Sequence, residues 1–379
     1  MTNINILCCR GDCDDFFMNI QRVILQNFRN ITGTDVELDC GINVLYGDNA
    51  QGKTNFLEAV YFCATGRSHR GGRDRDLVMM SEKEASAQVF VEHRGNADKI
   101  HMQITRDSKV CKLNQAPIKK LGELYGRLTC VIFSPEDLAL VKAGPGVRRR
   151  FMDMELCQLY PTYYHNLRMY YKVLKQRNNL LRELARDKKM ADTLEVWDAQ
   201  LVEYGGKIAA HRDRFIQRLS EIAAVNQSNI TANREHLEVL YKPNVAADEL
   251  ADKLTRHRNM DIQRGVTSVG IHKDDVEFRI NNNDGRGFAS QGQQRTAALA
   301  VKLAEIDFVR QEKGHPPVLL LDDVLSELDK NRQNYLLGAV GGLQTIITLT
   351  GAENAVGSYM RKTAARIFAV EGGRFSLRV

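Results

Sequence analysis

The octapeptide GDNAQGKT at 47–54 constrains this chain more than any other feature. It fits the pattern G-x-x-x-x-G-K-[ST] and follows a strand-like stretch, INVLYG. It opens GKTNFLEAVYFCATG, where Phe56, Leu57, Val60 and Tyr61 recur at helical spacing before Gly66 ends the run. A glycine turn between a strand and a helix is suited to holding phosphate. Gly47 and Gly52 let the backbone curl, so that N–H groups along Asp48, Asn49, Ala50 and Gln51 converge on phosphate oxygens at the positive end of the helix dipole. Lys53 then reaches the β- and γ-phosphates, and the Thr54 hydroxyl is a ligand for Mg²⁺. The reading is an α/β fold with a nucleoside triphosphate site.

The remaining sequence supplies a sheet for that loop. IQRVILQ, TDVELD, ASAQVFVEH, KIHMQITRD, VCKLN and RLTCVIFS alternate or are β-branched as strands are. SPEDLALVK reads as a helix start capped by Ser134, with acids in its first turn. From about Phe151 the apolar period changes to three and four. Tyr160, Tyr163, Leu167, Tyr170, Leu174, Leu181 and Leu184 form one stripe. Leu194, Trp197, Leu201, Tyr204, Ile208, Phe215, Leu219 and Ile222 form a second, across the polar break DKKMAD at 187–192. An antiparallel helical hairpin follows, with Tyr and Leu as packing residues. Strand signals return at DDVEFRI, HPPVLLLDD, QTIITLT and ARIFAV. Sheet-forming sequence thus lies on both sides of a helical block. The expected organisation is one α/β lobe from 18–142 and 265–379, with a mostly helical lobe inserted at 143–264. Residues 1–17 lack any period and precede Met18, an alternative start; they read as an extension without its own structure.

Two further motifs complete a nucleotide site. VLLLDDVLSELD is a continuous apolar strand that delivers Asp322 to a sheet edge, where Mg²⁺ on phosphate needs a carboxylate; Asp323 beside it can polarise an attacking water. FASQGQQRT places Ser290 as the cap of a long helix, so that its hydroxyl and the N–H groups of Gln291, Gly292, Gln293 and Gln294 form a second phosphate nest. A second nest on the same chain is best used on the γ-phosphate held by another copy, giving a dimer with nucleotide sandwiched between subunits.

These three motifs, in this order and with a helical insertion between the first and second, resemble the ABC-type ATPases of the SMC and Rad50 class. The nearer likeness is to the RecF family of DNA repair proteins. It is carried by FSPEDLALVKAGPGVRRRFMD at 133–153, LLDDVLSELDKNRQNYL at 320–336, GIHKDD at 270–275 and NIQRVILQNFRNI at 19–31. The likeness covers everything after Met18. It departs at Ala143, where the family has glycine, and no counterpart of the glutamine loop of other ABC ATPases is assigned. The resemblance implies a cytoplasmic ATP-dependent DNA-binding protein that dimerises on ATP and hydrolyses it slowly. It implies clamping of duplex or gapped DNA, with RecR and RecO, to load RecA. By the same resemblance, Lys53 and Thr54 belong to Walker A, Asp322 and Asp323 to Walker B, Ser290 to Gln294 to the signature, and Asp329 to the D-loop.

Charge distribution agrees with a nucleic-acid partner. The chain carries 53 Lys or Arg against 47 Asp or Glu, and residues 143–264 hold 21 and 16 of these, hence five of the six net positive charges. Two clamped insertions would join into one basic groove. The loop GRSHRGGRDR adds Arg67, Arg70, Arg73 and Arg75 as DNA candidates, with Arg70 also a candidate for nucleotide. Arg148, Arg149 and Arg150 read either as DNA contacts or as an ion-pair network joining the lobes, the second favoured by their place at the lobe boundary. The eight cysteines include no C-x-x-C pair and read as reduced thiols, and no apolar run reaches the length of a membrane span. An SMC-like structural tether is the rival reading; its helices would be short at about 1.5 Å per residue.

Overall fold

Ile20, Val23, Leu25 and Phe28 all point inward along the first strand, although Ile20 and Val23 are three residues apart. A bulge between Ile20 and Arg22 resets the alternation and makes this possible. The structure, a computed structural model, describes residues 18–185, 193–350 and 365–378. The extension at 1–17 and the break at 187–192 lie outside the described residues.

In chain order the elements begin with β1 (Asn19–Phe28), β2 (Ile31–Glu37), β3 (Ile42–Tyr46), α1 (Lys53–Thr65), β4 (Glu84–His93), β5 (Asn96–Thr105), β6 (Lys109–Leu113), β7 (Ala116–Pro117) and β8 (Cys130–Phe133). Then follow α2 (Pro145–Leu159), α3 (Pro161–Leu184), α4 (Leu194–Thr231), β9 (Leu237–Lys242), α5 (Leu250–Arg264), β10 (Asp275–Ile280), β11 (Asn283–Asp284) and α6 (Gln291–Lys313). The chain ends with β12 (Val318–Asp322), α7 (Lys330–Ala339), β13 (Thr345–Leu349), β14 (Arg366–Glu371) and β15 (Arg374–Arg378).

The chain divides into two compact units, one running to Asp137 and resuming at Glu305, the other spanning Leu138–Ala304. The second therefore extends beyond the expected insertion of 143–264. The reason is strand pairing: β10 pairs antiparallel with β9 and β11, forming a three-stranded sheet that keeps 265–284 with the helices. β9 itself lies inside a block read as helical, because its six residues, LEVLYK, are too short a run to stand out beside long helices.

The first unit contains two six-stranded sheets. One is antiparallel in the order β2-β1-β4-β5-β6-β7; the other has the order β15-β14-β3-β13-β12-β8, parallel except for β15. Helix α1 touches strands of both, and only two of its 13 residues escape burial. A helix buried all round has no polar face, so its periodicity in the sequence is blurred. β12 is buried at all five positions, as its unbroken apolar run requires.

In the second unit, α3 and α4 form the antiparallel pair expected. Tyr163 meets Arg212, Tyr170 lies against Gly205, and Arg177 meets Asp198, so one residue number falls as the other rises. Arg148 makes a two-bond pair with Asp275 at 2.7 and 2.8 Å, and Arg149 donates to the Asp274 carbonyl at 2.6 Å. These arginines tie α2 to β10 within the unit. Arg212 is wholly buried and satisfied by Asp153, Asp274 and the Ile271 carbonyl. The GIHKDD segment is thus the anchor of this network. The segment read as a helix at SPEDLALVK is only a short 3₁₀ turn, Pro135–Ala139, and Ser134 hydrogen-bonds Asp137 at its start. Cys63, Cys111, Cys130 and Cys157 are free and buried, as expected of reduced thiols. Among the described residues no helix is long and apolar enough to cross a membrane.

Candidate functional site

The parallel sheet ends in the glycine turn after β3, and backbone crowding there requires glycine. A Cβ on Gly47 would stand 2.3 Å from the Val370 carbonyl oxygen of β14, and Gly52 begins α1 with φ at +111°. The turn is held from outside as well. Gly373 donates to the Gln51 carbonyl at 2.9 Å, Gly372 to the Gln51 side chain at 2.6 Å, and Asn30 to the Ala50 carbonyl at 2.8 Å. The β14–β15 and β1–β2 turns therefore brace the loop from outside.

Lys53 is 5% exposed and donates to the carbonyls of Gly47 and Asp48, both at 2.6 Å. Burial lowers its pKa, against the pull of Asp323, Asp322 and Asp48. Thr54 donates its hydroxyl hydrogen bond to Asp322 Oδ1 at 2.8 Å, joining residues 268 apart in the chain. Thr348 donates to the same oxygen at 2.9 Å. Burial raises the pKa of Asp322, and the two hydroxyls only partly offset it. Asp323 takes φ of +51°; its N–H bonds the Thr348 hydroxyl and its carboxylate accepts from Thr350 at 3.1 Å. Lys53, Thr54, Asp323, Thr348 and Thr350 line a cleft of about 500 Å³ with Asn30, Asn49, Asn55 and Arg70. The structure thus brings Thr54 of the glycine loop together with Asp322 of the apolar strand.

Several participants were not singled out from sequence. Glu58 is buried inside α1 and binds Arg29 through two bonds at 3.0 and 2.8 Å and Ser68 at 2.5 Å. Burial works against its charge, but Arg29 and Ser68 prevail, and its pKa lies below the ordinary value of 4.5. A glutamate in an apolar helical run was the available signal, because such a residue must be paired. Arg70 pairs with Glu58 at 3.6 Å and donates to Asn55 at 3.1 Å. It lines both the loop cleft and an adjoining cleft of about 660 Å³ with Arg29, Arg75 and Arg106. Arg75 faces Asp76 at 3.8 Å, while Arg67 and Arg73 have exposed side chains on the same loop.

In the second unit, Ser290 and Gln293 form a reciprocal cap: Ser290 N–H donates to Gln293 Oε1 at 2.9 Å, and Gln293 N–H to Ser290 Oγ at 3.2 Å. Ser290 and Gln291 are exposed. Gln294 is buried, with its amide donating to the Gly285 carbonyl at 3.0 Å, so it holds the preceding loop. Asp329 caps α7 by accepting from the N–H groups of Asn331 and Arg332 at 3.1 and 3.0 Å.

The model of the RecF/RecN/SMC N-terminal domain family matches residues 19–370. A DNA replication and repair protein RecF of Lachnoclostridium phytofermentans is 45% identical over 94% of this chain and 99% of its own length. The chain belongs to the RecF family. Another RecF, from Listeria innocua, is 42% identical over 94% of this chain and 99% of the relative. The solved structure of a recombination mediator RecF with ATP, in the RecFOR pathway, superposes with a TM-score of 0.90 at 34% identity, covering 98% of this chain and all of that one. An Smc head domain from Pyrococcus furiosus shares the fold at 15% identity, with a TM-score of 0.55 and 96% of each chain covered. The ABC-type ATPase fold expected from the sequence is the fold observed.

Proposed function

We propose that this protein is an ATP-switched DNA-binding protein of recombinational repair, acting in the cytoplasm. The observation that carries the reading is the Thr54–Asp322 hydrogen bond at 2.8 Å, which joins the glycine loop to the apolar strand, with Thr54 and Asp323 lining one cleft. Lys53 would exchange its two loop carbonyls for phosphate oxygens. Thr54 and Asp322 suit Mg²⁺, since both offer hard oxygen donors and the two hydroxyl bonds to Asp322 fall on Oδ1, leaving Oδ2 for a cation. That ion would offset charge on the β- and γ-phosphates. Asp323 would hold the attacking water for slow hydrolysis, and Thr350 would fix its carboxylate.

The Ser290 nest supports dimerisation on ATP. The Ser290 hydroxyl and the N–H groups of Gln291, Gly292 and Gln293 would receive the γ-phosphate bound by a second copy. Phe288, 81% exposed two residues before Ser290, is a large apolar side chain that a second copy would cover. The ATP-bound dimer would clamp duplex or gapped DNA and, with RecR and RecO, favour loading of RecA. Arg67 and Arg73 remain candidates for DNA, and Arg70 is assigned to nucleotide.

Sedimentation with and without ATP tests this. Wild type becomes a dimer on ATP; Lys53→Ala and Asp322→Ala stay monomeric; Ser290→Arg binds ATP but stays monomeric. A Ser290→Arg chain that still dimerises on ATP refutes the two-nest arrangement.

A further inference from the structure

Helix α3 carries five Lys or Arg and one acid, and it sorts them by face. Arg177, wholly buried, is directed inward and paired with Asp198 at 2.6 Å and Asp261 at 2.8 Å. His165, Arg168, Lys172, Lys175 and Arg182 are all exposed. At 100° per residue these five fall within roughly 100° of arc, and from 165 to 182 they run about 26 Å along the helix. None of Arg168, Lys172 and Lys175 forms a salt bridge with a described residue, and Arg182 bonds only uncharged groups, the Asn178 carbonyl and the Asn179 side chain. Tyr171, 42% exposed, flanks the stripe. The one acid, Glu183, stands at its far end.

The neighbouring helix is the internal comparison. On α4 the exposed charges are of both signs, and two pairs form within the helix: Lys207 with Glu203 at 2.6 Å and Arg218 with Glu221 at 2.5 Å. Intrahelical pairs of that kind are the ordinary way to keep a helix soluble. Like charges at i,i+3 and i,i+4, as on α3, repel and weaken a helix by a few tenths of a kcal/mol per pair. An external polyanion removes that repulsion.

We propose that the outer face of α3, through Arg168, Lys172 and Lys175, with His165 and Arg182 at its ends, is a docking surface for the phosphate backbone of DNA. The inference rests on the reading of the chain as a DNA-binding ATPase and adds the surface that does the binding. A track of about 26 Å follows a groove edge for three quarters of a B-form turn, whose length is about 34 Å. Arg168, Lys172 and Lys175 stand on flexible stems, and the one amide on the same arc, Asn179, is engaged by Arg182, which favours backbone contact over base reading. Tyr171 can pack against a sugar or an unstacked base.

The test uses the full chain with ATP and a fluorescent duplex, with gapped and single-stranded probes as further arms, across a salt series. The variant is Arg168→Glu/Lys172→Glu/Lys175→Glu. Its control is Lys207→Glu/Arg214→Glu on α4, and its conservative counterpart is Lys172→Arg/Lys175→Arg. Binding to all three probes should weaken at least about tenfold in the α3 triple variant. The slope of log affinity against log salt should fall by about 3 for duplex, near 0.9 per lost phosphate contact. The α4 control and the arginine variant should bind as wild type does. ATP affinity and the melting curve, unchanged in the triple variant, show that both units are folded. A folded triple variant with wild-type affinity and salt slope overturns the assignment while leaving the DNA-binding ATPase intact. A wild-type chain that binds no probe with or without ATP overturns the functional reading itself, and this surface with it.

Discussion

Asp322 and Glu58 are two buried carboxylates with opposite electrostatics. Glu58 has its pKa held below 4.5 by Arg29 and Ser68, so the folded state prefers its charged form. That contribution is complete above pH 4.5 and is lost as pH falls through the lower, folded value. Glu58→Gln should therefore cost about 3 kcal/mol at pH 7, since it strands Arg29 and Arg70, and should flatten the acid limb of a stability–pH profile measured by urea titration. Asp322 has its pKa raised by burial, so its charge is held at a cost that disappears as pH falls through the raised value toward 3.8. Asp322→Asn keeps an oxygen for Thr54 and Thr348 and removes that cost. It should raise the nucleotide-free stability by about 1 kcal/mol while abolishing Mg²⁺-dependent ATP binding, read by calorimetry. A site that becomes more stable when disabled is built for a ligand.

At the scale of elements, the glycine turn and the α3–α4 pair depend on close approach. Gly47→Ala would drive a methyl into the Val370 carbonyl, moving β14 away from β3 and distorting the loop. ATP binding should be lost along with about 2 kcal/mol or more of stability, as measured by chemical denaturation. Gly205 lets α4 sit against α3: a Cβ there would be 3.1 Å from Leu250 and 3.4 Å from Tyr170. Gly205→Val should cost about 1–3 kcal/mol by overpacking, yet leave ATP affinity near wild type, because every residue of the loop cleft belongs to the other unit. The two substitutions separate failure of the chemistry from failure of the scaffold.

For the whole molecule, ATP that binds only the folded state should stabilise it by about 2.7 kcal/mol at a hundredfold excess over Kd. If ATP also joins two copies, the melting temperature with ATP should rise with protein concentration, and without ATP it should not. Ser290→Arg should keep the ATP-induced rise and lose its dependence on protein concentration, measured by scanning fluorimetry at two protein concentrations tenfold apart. The division into two units also explains why the net charge of +6 is a weak descriptor. What matters is that α3 gathers its exposed positive charges on one face, whereas α4 carries both signs and pairs Lys207 and Arg218 within the helix.

The glycine loop, the apolar strand ending in Asp322 and the two helical stripes were legible in the amino-acid sequence because each is local. Backbone curl, burial on both faces and helical period all leave their mark within a few residues. The partners that brace the loop were not legible. Asn30, Gly372 and Gly373 reach it from turns far along the chain, and Glu58 declares itself only once Arg29 is folded beside it. The limit of the second unit was hidden for the same reason, since β10 reads as a strand but nothing in DDVEFRI names β9 as its neighbour. Sequence by itself determined which residues can grip phosphate and which segments form helix or strand. Only the tertiary structure decided which charges are buried in pairs and which, on the outer face of α3, stand exposed without a salt bridge to a described residue, because pairing across a fold is a property of distance in space.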